Sequence, residues 1–146
     1  NEEDAKDVFG IEAENTDLNS GKLDEKAYIS VAKQLAERFG CKKVAITLRT
    51  SISASDNDWS GMLYSNGKAS FAPTYHLRIV DRVGGGDSFG AGLIYSLANG
   101  YDDQKAINFA VAASALKHSI EHDFNLVGVS EIQTLAAGNA SGRVQR

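Results

Sequence analysis

The stretch Val80-Asp81-Arg82-Val83-Gly84-Gly85-Gly86-Asp87-Ser88-Phe89-Gly90-Ala91-Gly92 decides how the rest of the chain is read. Three consecutive glycines close a short apolar run over residues 77–83 that reads as a strand. Beyond them Phe89, Leu93, Ile94 and Leu97 recur at three- and four-residue spacing, which predicts an amphipathic helix opening at Asp87. Strand, glycine turn and helix in that order make a place for an anion. Glycine lets the backbone come close, and the first helical turn has N–H groups without partners. A tight turn with Asp87 as an N-cap fits the same residues equally well. Two other glycine motifs are excluded. G-x-G-x-x-G fails because its third glycine falls on Phe89, and the P-loop fails because no Gly-Lys-Ser or Gly-Lys-Thr occurs.

Asp87 separates the two readings. A carboxylate at a helix mouth that holds phosphate oxygens repels them unless it does chemistry. Taking the proton of a hydroxyl that attacks a phosphoryl group is such chemistry. Asp81, six residues before Asp87, then Gly84-Gly85-Gly86-Asp87-Ser88-Phe89 and the small Gly90, Ala91 and Gly92 resemble the second signature of the ribokinase-like (PfkB) sugar kinases. That signature lies in the C-terminal half of those enzymes. The resemblance implies that Asp87 is the general base and meets the substrate. It implies too that Gly84, Gly85 and Gly86 form an anion hole for ATP phosphate, and that Asp81 sits where family members bind a monovalent cation such as K+.

The chain has 146 residues, 42% hydrophobic and 23% charged, which is the make-up of one soluble globular domain with a real core. The net charge of −4 is scattered and no basic patch forms, which argues against nucleic acid. No apolar run approaches roughly 18 residues and no secretory segment is present, which argues against a membrane span. The single cysteine, Cys41, rules out an intramolecular disulfide and a Cys-based zinc cluster, suits a reducing compartment, and is expected to pack at a strand start. The resemblance places the protein in the cytoplasm. The chain opens without Met, at Asn1-Glu2-Glu3-Asp4, as a piece of a longer protein would.

Asp4, Ala5, Val8 and Phe9 predict a short helix ending near Gly10. Asn1-Glu2-Glu3-Asp4 resembles the family's Asn-x-x-Glu motif with Asp in place of Glu, which implies that Asn1 and Asp4 help position Mg2+, through phosphate or water. Residues 15–22 read as a polar loop. Asp24 is placed to cap a helix with the stripe Ala27, Val31, Leu35, Ala36 and Phe39, ending at Gly40. Residues 42–48 read as a buried strand, and helix followed by strand predicts one step of βαβ winding with ligands at the strand's C-terminal end. There Thr47-Leu48-Arg49-Thr50-Ser51 stands where the family carries a glycine turn around the nucleotide. A polar connecting loop fits as well. The resemblance implies nucleotide contacts from Thr47, Arg49 and Ser51, with Arg49 a donor fork for phosphate. Residues 53–60 read as a loop. Asn66-Gly67 predicts a hairpin, taken as scaffold without chemistry, Trp59 and His76 included.

After an Asn99-Gly100 turn, Asp102 or Asp103 caps a helix over about 104–118. Ala106, Ile107, Phe109, Ala110, Val111, Ala112, Ala113, Ala115 and Leu116 make it apolar nearly all round, which predicts a buried core helix. The resemblance adds an adenine pocket along it, with Val111 at the place of a family Asn and Asn108 one turn earlier as its substitute. Lys117-His118-Ser119-Ile120-Glu121-His122-Asp123 reads as a polar helix exit rather than a metal site, since no other His or Cys lies near. Asp123 matches an Asp that touches the sugar acid in family members acting on 2-keto-3-deoxygluconate. Leu116-Lys117-His118-Ser119, Asp123-Phe124-Asn125-Leu126-Val127, the stretch 47–59 and the terminal Gly142-Arg143-Val144-Gln145-Arg146 look similar to the same group. A last short helix is predicted over 131–137 and a cationic tail over 141–146.

The fold implied is α/β, a part of the ribokinase-like three-layer sandwich, with a mostly parallel sheet flanked by helices and a β-hairpin at one edge. Residues 1–146 would be the C-terminal nucleotide-binding and catalytic portion, with the substrate and lid half outside this chain. The activity implied is phosphoryl transfer from ATP to a sugar acid, most closely 2-keto-3-deoxygluconate, with Mg2+ riding mainly on phosphates. Homo-oligomer formation is left open. The alternatives are a kinase of ribose, fructose or a nucleoside, a nucleotide-binding fragment without turnover, and a non-catalytic sensor, which the intact Gly-Gly-Gly-Asp argues against. A nicotinamide oxidoreductase is disfavoured by the failed fingerprint.

Overall fold

The computed structural model describes residues 1–12 and 25–138. Among them the chain runs α1 (Glu2–Phe9), α2 (Glu25–Phe39), β1 (Lys43–Ser51), β2 (Asp56–Ser65), β3 (Lys68–Phe71), β4 (Tyr75–Arg78), α3 (Gly85–Ala98), α4 (Asp103–Lys117) and α5 (Val129–Ala136). Asp24, residues 15–22 and the tail 141–146, each given a role above, lie outside the described residues.

Asn66 and Gly67 adopt positive φ of 50° and 77°, the two-residue turn their sequence predicts, and fold β3 back onto β2. β2 is the centre of the sheet. β1 pairs along one side of it over its whole length, from Lys43 opposite Ser65 to Ser51 opposite Asn57. On the other side β3 covers Met62 to Ser65 and β4 covers Asp56 to Trp59. All three pairings are antiparallel, which corrects the mostly parallel sheet expected. The connections explain it: only residues 52–55 join β1 to β2 and 66–67 join β2 to β3. A parallel pair needs a crossover of about a dozen residues or more. Helix-then-strand order at α2 and β1 suggested a crossover, yet β1's neighbour in the described sheet is the strand that follows it.

Alternation along the strands sends side chains to two helical layers. Ile46, Leu48 and Met62 face α1 and α2 and meet Ala5, Val31 and Ala32. Trp59 and Leu63 face the other way, onto Phe89 of α3 and Ile107, Ala110 and Val111 of α4. α5 sets Ile132 against Phe109, Ala112 and Ala113 on the outer side of α4. The three-layer arrangement expected is thus present. α4 is the buried helix its composition predicts: Asp102 Oδ1 accepts from Lys105 N–H at 2.8 Å as the N-cap, and Ala106, Ile107, Ala110, Val111 and Ala112 are wholly buried. Lys43 of β1 pairs with Asp103 in the first turn of α4 and donates to Ser65 Oγ at 3.0 Å.

Three local expectations fail. Residues 56–60 belong to β2 rather than to a loop, because they pair with β1 and β4. The run 77–83 holds strand geometry only to Arg78. Cys41 is exposed, two residues before β1 begins. Among the described residues no helix is long and apolar enough to cross a membrane.

Truncating Ile107, fully buried on α4, to Ala is expected to cost about 2–5 kcal/mol, read as a lower urea midpoint with unchanged slope. Ile94→Ala, at a site 70% exposed, is expected to stay within about 0.5 kcal/mol.

Candidate active site

Helix α3 begins at Gly85, two residues earlier than its hydrophobic spacing suggested. Asp87 is therefore the third residue of the first turn and not the N-cap. That place belongs to Gly84, at φ 78° and with no side-chain cap. The segment before it is tied to the end of α4. The N–H groups of Val80 and Asp81 donate to the His118 carbonyl at 2.8 and 3.3 Å. Asp81 accepts from Val83 N–H at 3.0 Å and from His122 N–H at 2.9 Å. The Val83 N–H above all, helped by that of His122 and by the Lys117 charge, holds the Asp81 carboxyl below the usual carboxylate range.

The three glycines serve three different needs. A Cβ on Gly84 would stand 2.1 Å from the Asp123 carbonyl oxygen, and one on Gly85 would stand 2.7 Å from His118 Cε1. Beside Gly86 nothing lies within 4 Å. Two glycines thus answer to the protein's own packing, and Gly86 faces open space. Gly85 N–H donates to the Arg82 carbonyl at 3.2 Å, whereas the N–H groups of Gly86 and Asp87 have no partner among the described residues. Within the helix the open amides are those two; before it the Gly84 N–H has no partner among the described residues either, so of the Gly84–Gly86 set expected Gly85 alone is engaged.

Asp87 is exposed at one end of a cleft of about 480 Å³. Ala91 and Tyr95 of α3, Phe109 of α4, and Asp123 and Phe124 on the following strap line it. Asn125 fastens that strap: its Nδ2 donates to the Ala113 carbonyl at 3.1 Å and its Oδ1 accepts from Val127 N–H at 3.2 Å. Asp87 and Asp123, 36 positions apart in the chain, therefore share one opening.

The other expected site residues separate. Thr47, Arg49 and Ser51 alternate onto the α3–α4 side of β1, and Arg49 lies opposite Trp59 in register. Arg49 is exposed and close enough for its charge to act on His118, under the glycine turn. Val111 is fully buried against the sheet and offers no surface to a ligand. Asn108 accepts from Gln104 Nε2 at 2.8 Å and lines a second cleft, of about 290 Å³, with Tyr101 and Lys105. Asn1 and Asp4 are engaged with each other as a capping box on α1: Asn1 Oδ1 accepts from Asp4 N–H at 2.8 Å, and Asp4 accepts from the Asn1 nitrogen at 3.0 Å. Helix α1 packs on the opposite face of the sheet from α3. No group of three or more His, Cys, Asp or Glu among the described residues could hold a metal ion.

The residue that sequence reading misplaced is His118, taken above as part of a polar helix exit; it and Lys117 are buried. It is 4% exposed, its Nδ1 lies 2.7 Å from the Ser114 carbonyl, and its ring centroid is 4.8 Å from that of Trp59. Burial, with the neighbouring charges of Lys117, Arg82 and Arg49, pushes its pKa down, while the bond to Ser114 resists. Arg82 itself donates to the Ala54 carbonyl at 2.8 Å and reaches the buried Asn57 side chain. The available signal was Ser114 and His118, one turn apart at the end of an otherwise apolar helix.

The pfkB family carbohydrate kinases match residues 1–120 of the chain. A solved 2-dehydro-3-deoxygluconokinase from Thermotoga maritima is 45% identical over 94% of this chain and 40% of its own, with a TM-score of 0.86. A PfkB family carbohydrate kinase from Listeria grayi is 31% identical over 94% and 39%, with a TM-score of 0.76. A candidate 2-keto-3-deoxygluconate kinase from Enterococcus faecalis shares the fold at 21% identity, over 100% and 41%, with a TM-score of 0.81. The chain spans about two fifths of the length of each.

A histidine buried with a lowered pKa stabilises the fold while it is neutral. That contribution is complete above its unfolded pKa of about 6.5 and is lost as pH falls through the lowered folded value. The thermal midpoint is expected to drop between pH 7.5 and 5, and to drop less in His118→Asn. Equal slopes would show that His118 does not titrate on unfolding.

Proposed function

This chain belongs to the pfkB family of carbohydrate kinases, and from that premise we propose that it carries the phosphate-binding and proton-accepting part of an ATP-dependent kinase for 2-keto-3-deoxygluconate. One observation supports the reading most. Asp87 and Asp123 share a cleft that ends at a helix N-terminus with two unpartnered amides. Two carboxylates in one opening, with a helix mouth fit for an anion beside the first of them, are what transfer of a phosphoryl group to a polyol needs.

In this reading the substrate hydroxyl gives its proton to the Asp87 carboxylate as its oxygen bonds to the γ-phosphorus. The bond between that phosphorus and the β–γ bridging oxygen breaks, and ADP leaves with the electron pair. Charge on the transferred group meets the N–H groups of Gly86 and Asp87 and the positive end of α3, worth about half an elementary charge. Arg49 is the donor fork for the nucleotide phosphates, with Thr47 and Ser51 beside it on β1. Asp123 accepts hydrogen bonds only, so it reads hydroxyl groups of the sugar acid and not its carboxylate. The similarity to the Thermotoga maritima enzyme supports the choice of substrate.

The described side chains form no three-ligand metal cluster, so a magnesium ion would be held by nucleotide phosphates and water, where it offsets phosphate charge. Asp81, kept ionised by two backbone N–H groups, supplies the negative charge a potassium ion would need. The remaining sugar contacts and the lid are assigned to the three fifths of the relatives' length outside this chain.

In the full-length protein, Asp87→Asn is expected to lower kcat by about 10²–10⁴ while ATP still binds; an active variant would refute the base. Asp123→Ala is expected to raise KM for 2-keto-3-deoxygluconate and leave that for ATP unchanged. Transfer to ribose or fructose in preference to the sugar acid would discard the substrate and keep the turn.

A further inference from the structure

We propose that His118 is a positioning residue for phosphoryl transfer: wedged between Trp59 and Gly85, its imidazole sets the direction of the Gly86 and Asp87 N–H groups. The proposal rests on the kinase reading above and adds a residue to it.

Three separate contacts converge on this side chain and its neighbour one turn back. The ring lies against Gly85, where a Cβ would meet Cε1 at 2.7 Å and Nε2 at 2.9 Å. Its Nδ1 is bonded to the Ser114 carbonyl at 2.7 Å, which places the proton on Nδ1 in the neutral ring. Ser114 Oγ in turn donates to the Gly85 carbonyl at 2.8 Å, a buried bond. The peptide unit after Gly85 therefore has its oxygen held by Ser114 and its α-carbon held by His118. The N–H at the other end of that peptide unit is that of Gly86, the first of the two open amides. Peptide planarity makes its direction a consequence of those two contacts.

Behind the ring stands Trp59, with centroids 4.8 Å apart and planes tilted by 54°. Nε2 of His118 has no hydrogen-bond partner among the described residues, and on that side the imidazole packs against Gly85 and Trp59. Trp59 Nε1 is buried without a partner, the one side-chain polar atom of which this is true among the described residues. An unpaired buried donor is unfavourable, so what the indole contributes at this place is its bulk against the imidazole. The central strand β2 thus reaches the turn through two rings, Trp59 then His118.

The size of the effect follows from geometry. A displacement near 1 Å at a reacting centre can cost about 10²-fold in rate. In the full-length protein His118→Asn keeps a donor for the Ser114 carbonyl and withdraws the ring from Gly85. We expect kcat to fall by about 10- to 100-fold with KM for ATP within about threefold. Gly85→Ala pushes the ring away and is expected to give the same signature. The double variant G85A/H118N has room for its methyl group, so its kcat should be no lower than that of the worse single variant. A merely structural role would lower the folded fraction and leave KM and the rate per folded molecule alone.

Losses that multiply in the double variant, or an unchanged kcat in His118→Asn, would overturn the proposal. Should His118→Asn fail to fold, Trp59→Leu decides: it leaves both bonds in place, removes only the backing ring, and must show the same fall in kcat. A full-length protein whose Asp87→Asn variant is inactive while its His118 and Trp59 variants are normal overturns this inference alone. A protein that transfers no phosphoryl group from ATP at all overturns the kinase reading and this inference together.

Discussion

The seam between the last turn of α4 and residues 80–85 is the contact on which the site depends. His118 contributes its carbonyl to Val80 and Asp81, its ring to Gly85 and, through Ser114, a bond to the Gly85 carbonyl. His122 and Asp123, just beyond, add a bond to Asp81 and a close approach to Gly84. A glycine-rich turn has many conformations open to it when free, and ordering each residue costs on the order of 1–2 kcal/mol. Here the cost is offset by contacts to a helix that is itself buried on nearly every side. The amides of Gly86 and Asp87 stay unpartnered because they open a helix, where no carbonyl one turn earlier is placed to accept them.

Burial of α4 has an electrical consequence as well. Its C-terminal turn brings Lys117 and His118 beneath the mouth of α3, while Arg49 of β1 and Arg82 of the segment before α3 add their charges near His118. These groups surround the end of α3 at which Asp87 is exposed. Burial above all, with these charges, lowers the His118 pKa and favours the neutral imidazole, which then acts through shape and a directed bond. Asp87 and Asp123 face the cleft on the outer side of the turn.

Much of this was legible in one dimension. Asn66-Gly67 had one economical conformation, and it formed the hairpin. The uniform apolar character of α4 meant burial, and Asp102 capped it. Asp87 stood out because a carboxylate at a helix mouth shaped for an anion needs a reason. Other features were hidden because they are pairwise. The parallel or antiparallel sense of β1 depended on which strand it met. Val111, a good guess for a ligand pocket by position, turned inward because the sheet side of α4 needed a branched apolar residue beside Trp59 and Leu63. Asn1 and Asp4 satisfied one another at a helix start, a local use that a four-residue motif does not distinguish from a ligand site.

What the amino-acid sequence determined by itself was the inventory: a glycine turn opening a helix, an acidic residue in its first turn, an apolar helix to bury, and a second acidic residue after it. These are properties of single residues and of spacing along one element, and local backbone physics suffices to read them. Tertiary structure alone decided which glycine serves which purpose. Gly84 is there for the Asp123 carbonyl, Gly85 for the His118 ring, and Gly86 for whatever enters from outside. Nothing in three identical letters distinguishes them. The distinction lies in atoms contributed from more than thirty positions away, and only the folded chain brings those atoms within contact.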